Sequence, residues 1–251
     1  MRHIIIGDVH GCINELKLLI EKLQLQEGDQ LYFIGDLIDK GPDSAGVVKF
    51  VRSLSQSYPL ILILGNHEEK FLRYVHHKEH NPKAIETMVD TEEFERYLKD
   101  LEQLDIEFLK SSYINYNITS EQINLLHGGI VLHNRIDLSI NHKYSHDLLK
   151  STKGLELLLK ARFLDSNGNF LALGKETETS VFWADMYDGR YGKVIFGHDA
   201  RVVEIPVEYK NAINIDTGCV FGGWLSAMVI LSNKSKTYLS TKAEKVYHIK
   251  K

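Results

Sequence analysis

The chain has 251 residues, 43% of them hydrophobic, enough for one large core or two small ones. Its net charge of −4 and its lack of a long basic block speak against gripping long nucleic acid by the backbone. The two cysteines, Cys12 and Cys219, lie far apart in sequence without Cys-x-x-Cys spacing, which argues against a disulfide framework or a structural zinc knot. Met1 leads straight into a strand pattern without an apolar leader, and no apolar run approaches the roughly 20 residues that span a bilayer. The expectation is a cytoplasmic protein with no membrane partner.

The first apolar run, His3–Ile6, reads as a strand buried on both faces. It stops at Gly7, and Asp8 and His10 follow two apart, on one side of an extended segment. Residues 13–25 carry Leu16, Leu19, Ile20 and Leu23 at helical spacing. A second strand at 31–34 runs into GDLIDKGPDS, and a helix follows over 45–54, capped by Asp43 or Ser44. The third strand, 60–64, ends in Gly65-Asn66-His67-Glu68.

Residues 69–121 change character. They are charged and helical in pattern, with no strand-like run until 113–118, and read as a helical insertion that could cap the strand ends. Strand character resumes at 123–126, which stops at His127-Gly128-Gly129. The polar stretch 135–153 carries no clear pattern; 154–163 looks helical, and 181–187 reads as a turn or short helix. Residues 194–196 form another strand, ending at Gly197-His198-Asp199-Ala200. The remainder reads as strand-rich over 211–215, 224–231 and 245–249, with 232–251 as a last strand or a loose tail. No repeat or linker interrupts the chain, so a single domain is expected.

Five times a short apolar run ends in a Gly or His turn bearing metal-type donors: IIIGDVH, YFIGDLID, LILGNHE, NLLHGG and VIFGHD. A lone histidine after a strand is more often packed or exposed than a ligand, and GDL and GNH are ordinary turns. All five falling at strand ends by chance is far less frequent. In an open sheet such ends share one edge, where ligands bind. Together the turns supply Asp8, His10, Asp36, Asn66, His127 and His198, a mixed N/O set without sulfur that suits Mn, Fe or Zn. Six donors exceed one ordinary site and suit two ions about 3.5–4 Å apart, the arrangement of phosphoester hydrolysis.

GDVHG, GDLIDKGPDS, GNHE, HGG and GHDA, in that order, resemble the motifs of calcineurin-like metallophosphoesterases. Within them the chain is similar to the phosphoprotein-phosphatase superfamily and its diadenosine-tetraphosphatase branch. The second motif departs from the usual GDxxDRG by carrying Lys40; that lysine, GHDA and NIDTGCVFGGWLSAM resemble the ApaH-like phosphatases. A lysine offers a point charge where an arginine offers a bidentate fork, so substrate specificity does not carry over from the arginine enzymes.

The resemblance implies an α/β fold, a sandwich of two mixed β-sheets flanked by helices, with a helical cap insertion. It implies that Asp8, His10 and Asp36 hold one metal, with Asp36 bridging to a second held by Asn66, His127 and His198. His67 would act as general acid, oriented by Asp39, while Lys40 and Arg162 would meet phosphate oxygens. The expected cofactor is a pair of divalent ions, Mn first and Fe or Zn next. Two such cations lower the pKa of a shared water, making hydroxide available near neutral pH for attack on a phosphomonoester or phosphoanhydride.

Three substrate classes compete: phosphoserine or phosphothreonine in proteins, dinucleoside polyphosphates or capped RNA ends, and inorganic polyphosphate. Lys40, GHDA and DTGC favour nucleotide or polyphosphate anhydrides. The opposing class is an inactive protein that binds phosphorylated partners, against which the presence of both Asp39 and His67 counts. Oligomeric state is not readable. The cluster His76, His77 and His80 reads as a solvated helix face, and His133, His142 and His146 lack strand-end context. Trp183 and Tyr187 read as packing, Asp216 and Gly222-Gly223 as a turn, and Cys12 shows no base that would make it a nucleophile.

Overall fold

In the computed structural model, which describes residues 1–249, three parallel strands open the chain: β1 (His3–Ile6), β2 (Gln30–Phe33) and β3 (Leu60–Leu62). Helices α1 (Ile13–Leu23) and α2 (Ser44–Leu54) make the crossovers that parallel pairing requires. Asp43 is the cap of α2, its side chain accepting from the Gly46 amide at 2.7 Å. Three helices follow: α3 (Asn66–His80), α4 (Thr91–Asp100) and α5 (Gln103–Lys110). Next come β4 (Tyr113–Ile118), β5 (Ile123–Leu126), β6 (His142–Lys143), α6 (His146–Ser151), β7 (Phe163–Leu164), β8 (Phe170–Leu171) and β9 (Val181–Phe182). The chain continues through α7 (Trp183–Met186), β10 (Lys193–Phe196), β11 (Val207–Glu208), β12 (Ala212–Asn214), β13 (Trp224–Ile230) and β14 (Lys236–Lys242).

Two mixed sheets result. The first has the order β14-β13-β1-β2-β3, the second β11-β12-β10-β5-β4-β6. Their facing side chains form one apolar layer: Ile5, Tyr32 and Met228 from the first sheet meet Leu125, Ile195 and Ile213 from the second. The neighbours Ile4, Ile6, Leu126, Val194 and Phe196 point the other way, into the larger core that includes the helices. This two-residue alternation explains the unbroken apolar runs, since both faces of each central strand are covered. A third, three-stranded sheet, β8-β7-β9, was not legible in the sequence.

Several expectations shift. Helix α3 starts at Asn66, so the third motif opens a helix rather than preceding one. Helical structure then ends at Lys110, and β4 belongs to the second sheet. The helices share the main core: the Phe71 and Phe94 rings lie 5.9 Å apart, and Arg52 of α2 bonds Asp105 of α5 at 2.6 Å. In place of a helix over 154–163, Leu155–Leu159 make a 3-10 turn and β7 begins at Phe163. No strand forms over 245–249; the last strand is β14, whose lysine-rich sequence lacks apolar alternation because it is a sheet edge held by backbone pairing to β13. Residues 250–251 lie outside the described residues.

Candidate metal centre

The turns after β1, β2, β3, β5 and β10 converge, bringing three motifs of the first sheet against two of the second. Asp36 lies at the middle. Its Oδ2 is 3.4 Å from His10 Nε2 and 3.8 Å from His67 Nε2, while its Oδ1 is 3.3 Å from His127 Nε2. Two groups of convergent donors follow, His10–Asp36–His67 and Asp36–His127–His198, and they share this one carboxylate. Asn66 closes the second group, its Oδ1 3.0 Å from His127 Nε2.

The turns achieve this by unusual backbone geometry. Of nine non-glycine residues with positive φ among those described, five belong to the motifs: His10, Asp36, Asp39, Lys40 and His198. Such conformations cost energy and persist where the surroundings enforce them. Gly35, at φ +95°, lets the second and third turns touch, since a Cβ there would sit 2.5 Å from the Gly65 nitrogen. A Cβ on Gly197 would collide with the Asp8 carboxylate.

Three of the four imidazoles are oriented through Nδ1. His10 Nδ1 lies 3.0 Å from the Ile38 carbonyl and His127 Nδ1 lies 2.8 Å from that of Ile34, which leaves Nε2 as the free donor. His67 Nδ1 contacts Asp39 Oδ2. Asp39 is held below the usual carboxylate range: burial opposes its charge, but the bond and charge of His67 outweigh it. His198 is positioned by its amide on Asp8 Oδ2 at 2.9 Å and by Arg162, which donates to its carbonyl at 2.7 Å.

Electrostatics point to missing positive charge. Burial, then the neighbouring Asp216 and Asp36, drive the Asp8 carboxyl well above its ordinary range. Burial and Lys40 push His10 down to about 3, and burial with Arg162 lowers His198. Burial alone would raise Asp36, yet His127, His67 and His10 hold it well below. Asp8 Oδ1 is buried without a hydrogen-bond partner, and the Lys40 ammonium lies 2.9 Å from His10 Nε2, where a cation would be welcome. Buried carboxylates, an orphaned oxygen and the neutral imidazoles of His10 and His198 fit divalent ions.

All ten residues singled out from the sequence lie in or beside this centre. Arg162 shares a pocket with His10, Lys40 and His198, but it also lies 3.7 Å from Asp199. Asp216 is buried and accepts from the Gly218 amide at 3.0 Å, as its turn suggested. Glu68 was missed. Fully buried, it accepts from the amides of Asp36 and Leu37 at 2.8 Å, Gly65 at 3.0 Å and Ile38 at 3.1 Å, fastening the second turn to the third. Its signal was present: a glutamate three residues after Gly65 is a capping-box position. Cys12 and Cys219, remote in sequence, meet beside Glu15 within 4.8 Å in the buried interior.

Comparison with known proteins identifies the family. The profile of the calcineurin-like phosphoesterases matches residues 1–226. The asymmetrical bis(5'-nucleosyl)-tetraphosphatase PrpE of Bacillus subtilis is 30% identical over 237 residues, covering 90% of this chain and 89% of its own. The symmetrical bis(5'-nucleosyl)-tetraphosphatase of Pseudomonas entomophila is 28% identical over 271 residues, covering 93% of this chain and 91% of its own. A crystal structure provisionally assigned as a diadenosine tetraphosphatase superposes with TM-score 0.69 at 28% identity, covering 96% of this chain and 93% of that one. A two-sheet α/β sandwich with donors at its strand ends, matched along nine-tenths of its length, belongs to the calcineurin-like phosphoesterase family, a family of metal-dependent hydrolases.

Proposed function

We propose that the protein is a dimetal phosphohydrolase that cleaves phosphoanhydride bonds of nucleotide or polyphosphate substrates. The observation that carries this is the pair of donor groups sharing Asp36, the first of which includes His67, itself held through its other nitrogen by Asp39. His10, Asp8 and Asp36 would hold one ion; Asp36, Asn66, His127 and His198 would hold the other. The donor set, rich in N and O and free of sulfur, suits Mn²⁺ foremost. The chemistry that such a pair supplies is an activated water and neutralised phosphate charge.

The chain's own residues do the rest. Asp39 holds His67 Nδ1, which aims His67 Nε2 at the departing oxygen as its proton donor. The Lys40 ammonium, on the His10 side, meets a non-bridging phosphate oxygen. Arg162 holds the His198 carbonyl and adds a second positive charge at the same pocket wall. The curated relatives are named for tetraphosphate substrates, which favours anhydrides over phosphoproteins.

Phosphate release from a matched panel tests the proposal. The Mn²⁺-loaded protein is given diadenosine tetraphosphate, short polyphosphate, a phosphoserine peptide and p-nitrophenyl phosphate. Preference for either anhydride is expected. Preference for the peptide would overturn the substrate class, and silence on all four with metal bound would make the fold a binding module.

A further inference from the structure

The centre lies between two pockets of opposite character. One, of about 460 Å³, opens beside Asn66 and is walled by α3, α6 and the segment after it. Its lining carries four cationic side chains, Arg73, Lys150, Lys153 and Lys160, against two carboxylates, Glu69 and Glu156. Glu69 is already engaged by Arg73 at 3.6 Å. The other pocket, of about 410 Å³, opens beside His10 and His198. There Lys40 and Arg162 are matched by Asp199 and Asp216, and Arg162 lies 3.7 Å from Asp199. Its walls are Phe163, Phe221, His248 and Leu173, the last 76% exposed although large and apolar. The Phe221 and His248 rings meet edge to face at 5.9 Å, and Lys40 lies 5.6 Å from the Phe221 ring centre.

The two pockets meet across His198, which lines the aromatic one and whose Nε2 lies 3.3 Å from the carbonyl of Lys160, a wall of the cationic one. A substrate phosphate on the centre therefore has an exit on either side. A nucleobase gains by stacking on aromatic and apolar faces and needs no net charge around it. A run of phosphates gains from an excess of lysine and arginine.

Resting on the anhydride reading above, we propose that the pockets are two subsites of one elongated substrate. The aromatic pocket takes the nucleobase of one nucleotide. The cationic pocket takes the phosphates on the far side of the scissile bond. Neither pocket alone recognises the molecule; affinity depends on base and phosphate chain together.

The test uses the Mn²⁺-loaded full chain and three substrates: diadenosine tetraphosphate, inorganic tetraphosphate and p-nitrophenyl phosphate. Phe221→Ala, with the exposed Leu173→Asp as a second variant that leaves packing alone, is expected to raise KM for the dinucleotide at least about tenfold. The same variants should shift inorganic tetraphosphate, which has no base, several-fold less. The double variant Lys150→Ala/Lys153→Ala should raise KM for both tetraphosphates at least about tenfold, and that of p-nitrophenyl phosphate far less. Calorimetric titration with a non-hydrolysable methylene-bridged analogue of diadenosine tetraphosphate should reproduce the same pattern in Kd. Equal shifts on all three substrates, or none while the wild type cleaves tetraphosphates, would overturn the two-subsite assignment and spare the anhydride reading. A wild type inert on both tetraphosphates would sink that reading instead, and unaltered analogue binding by the variants would then sink the subsites too.

Discussion

Two groups of four histidines sit in this molecule, and only one is built to hold a cation. His10, His67, His127 and His198 meet edge to face in pairs, His10 with His67 and His127 with His198, each with ring centres 5.0 Å apart. Three of them turn a nitrogen toward Asp36 within 3.8 Å. In the group His76, His77, His80 and His146, His76 instead stacks on His146 at 3.7 Å and on His80 at 4.5 Å, with His77 edge to face against His76 and His146. Among the described residues no carboxylate joins them in a convergent donor group; Lys150 opposes protonation of His77 and His146, and Arg73 that of His77. Burial, His76 and Lys150 bring His146 down to about 4. The number of imidazoles is therefore a poor guide; a buried carboxylate at their focus is what makes a site cation-seeking.

The sharpest way to break that contrast is Asp36→Asn, which keeps the shape and removes the shared charge. Both ions should be lost, by elemental analysis, and Mn²⁺-dependent turnover should fall to background. Two ions retained per chain would show that the histidines suffice. Next in size is His67→Asn, expected to keep both ions while turnover drops about 10²–10⁴-fold. An ion lost there would make His67 a ligand rather than the proton donor.

Glu68 sharpens the comparison from the structural side, because the second histidine group has nothing like it. Glu68→Ala strands four buried amides, each worth ~1–3 kcal/mol when unsatisfied. A loss of roughly 3 kcal/mol or more is expected, read as a Tm lower by roughly 6–12 °C for a chain of this size. The pH dependence has a defined sign. Burial, then Asp36, raise the Glu68 carboxyl to about 6, above its unfolded value, so the folded metal-free protein holds that proton longer than the unfolded chain. The contribution of Glu68 is thus fully present below the unfolded value and declines as pH rises to about 6. The Tm advantage of metal-free wild type over Glu68→Gln should narrow between pH 4.5 and 6; a widening gap would mean the carboxyl is ionised throughout. Smallest of all, His76→Ala/His80→Ala should change neither metal content nor stability beyond about 0.5 kcal/mol.

How legible the site was in the sequence follows from how each residue is placed. Asp8, His10, Asp36, Asn66, His127 and His198 each sit directly after a strand, so an apolar run and a glycine mark them. The backbone carries them to a common edge whatever the side chains between do. Glu68 was readable only as a cap signal, because its partners, the amides of residues 36–38, are some thirty positions away. The meeting of Cys12 and Cys219 had no local signal, since it depends on the turn after β12 packing against the start of α1. The region from 133 to 192 was the least readable. Its strands are two residues long, too short for a period to show, and its 3-10 turn buries leucines without helical spacing. The cationic pocket is walled largely by that region and the aromatic pocket takes Arg162, Phe163 and Leu173 from it, which is why substrate preference was less legible than chemistry.

The two sheets approach Asp36 from opposite sides, and hydrogen bonds already cross between them there: His198 amide to Asp8, His127 to the Ile34 carbonyl. An ion held by both halves is thus a clasp on the seam of the sandwich as well as a reagent. Chelation should loosen that seam before it melts the fold, and the His198 amide should exchange its hydrogen faster in stripped protein while the central amides of β1 stay protected. Unchanged exchange at His198 on chelation would mean that the seam closes by packing alone. With the clasp in place, the protein's stiffness across its layers would report how fully it is loaded.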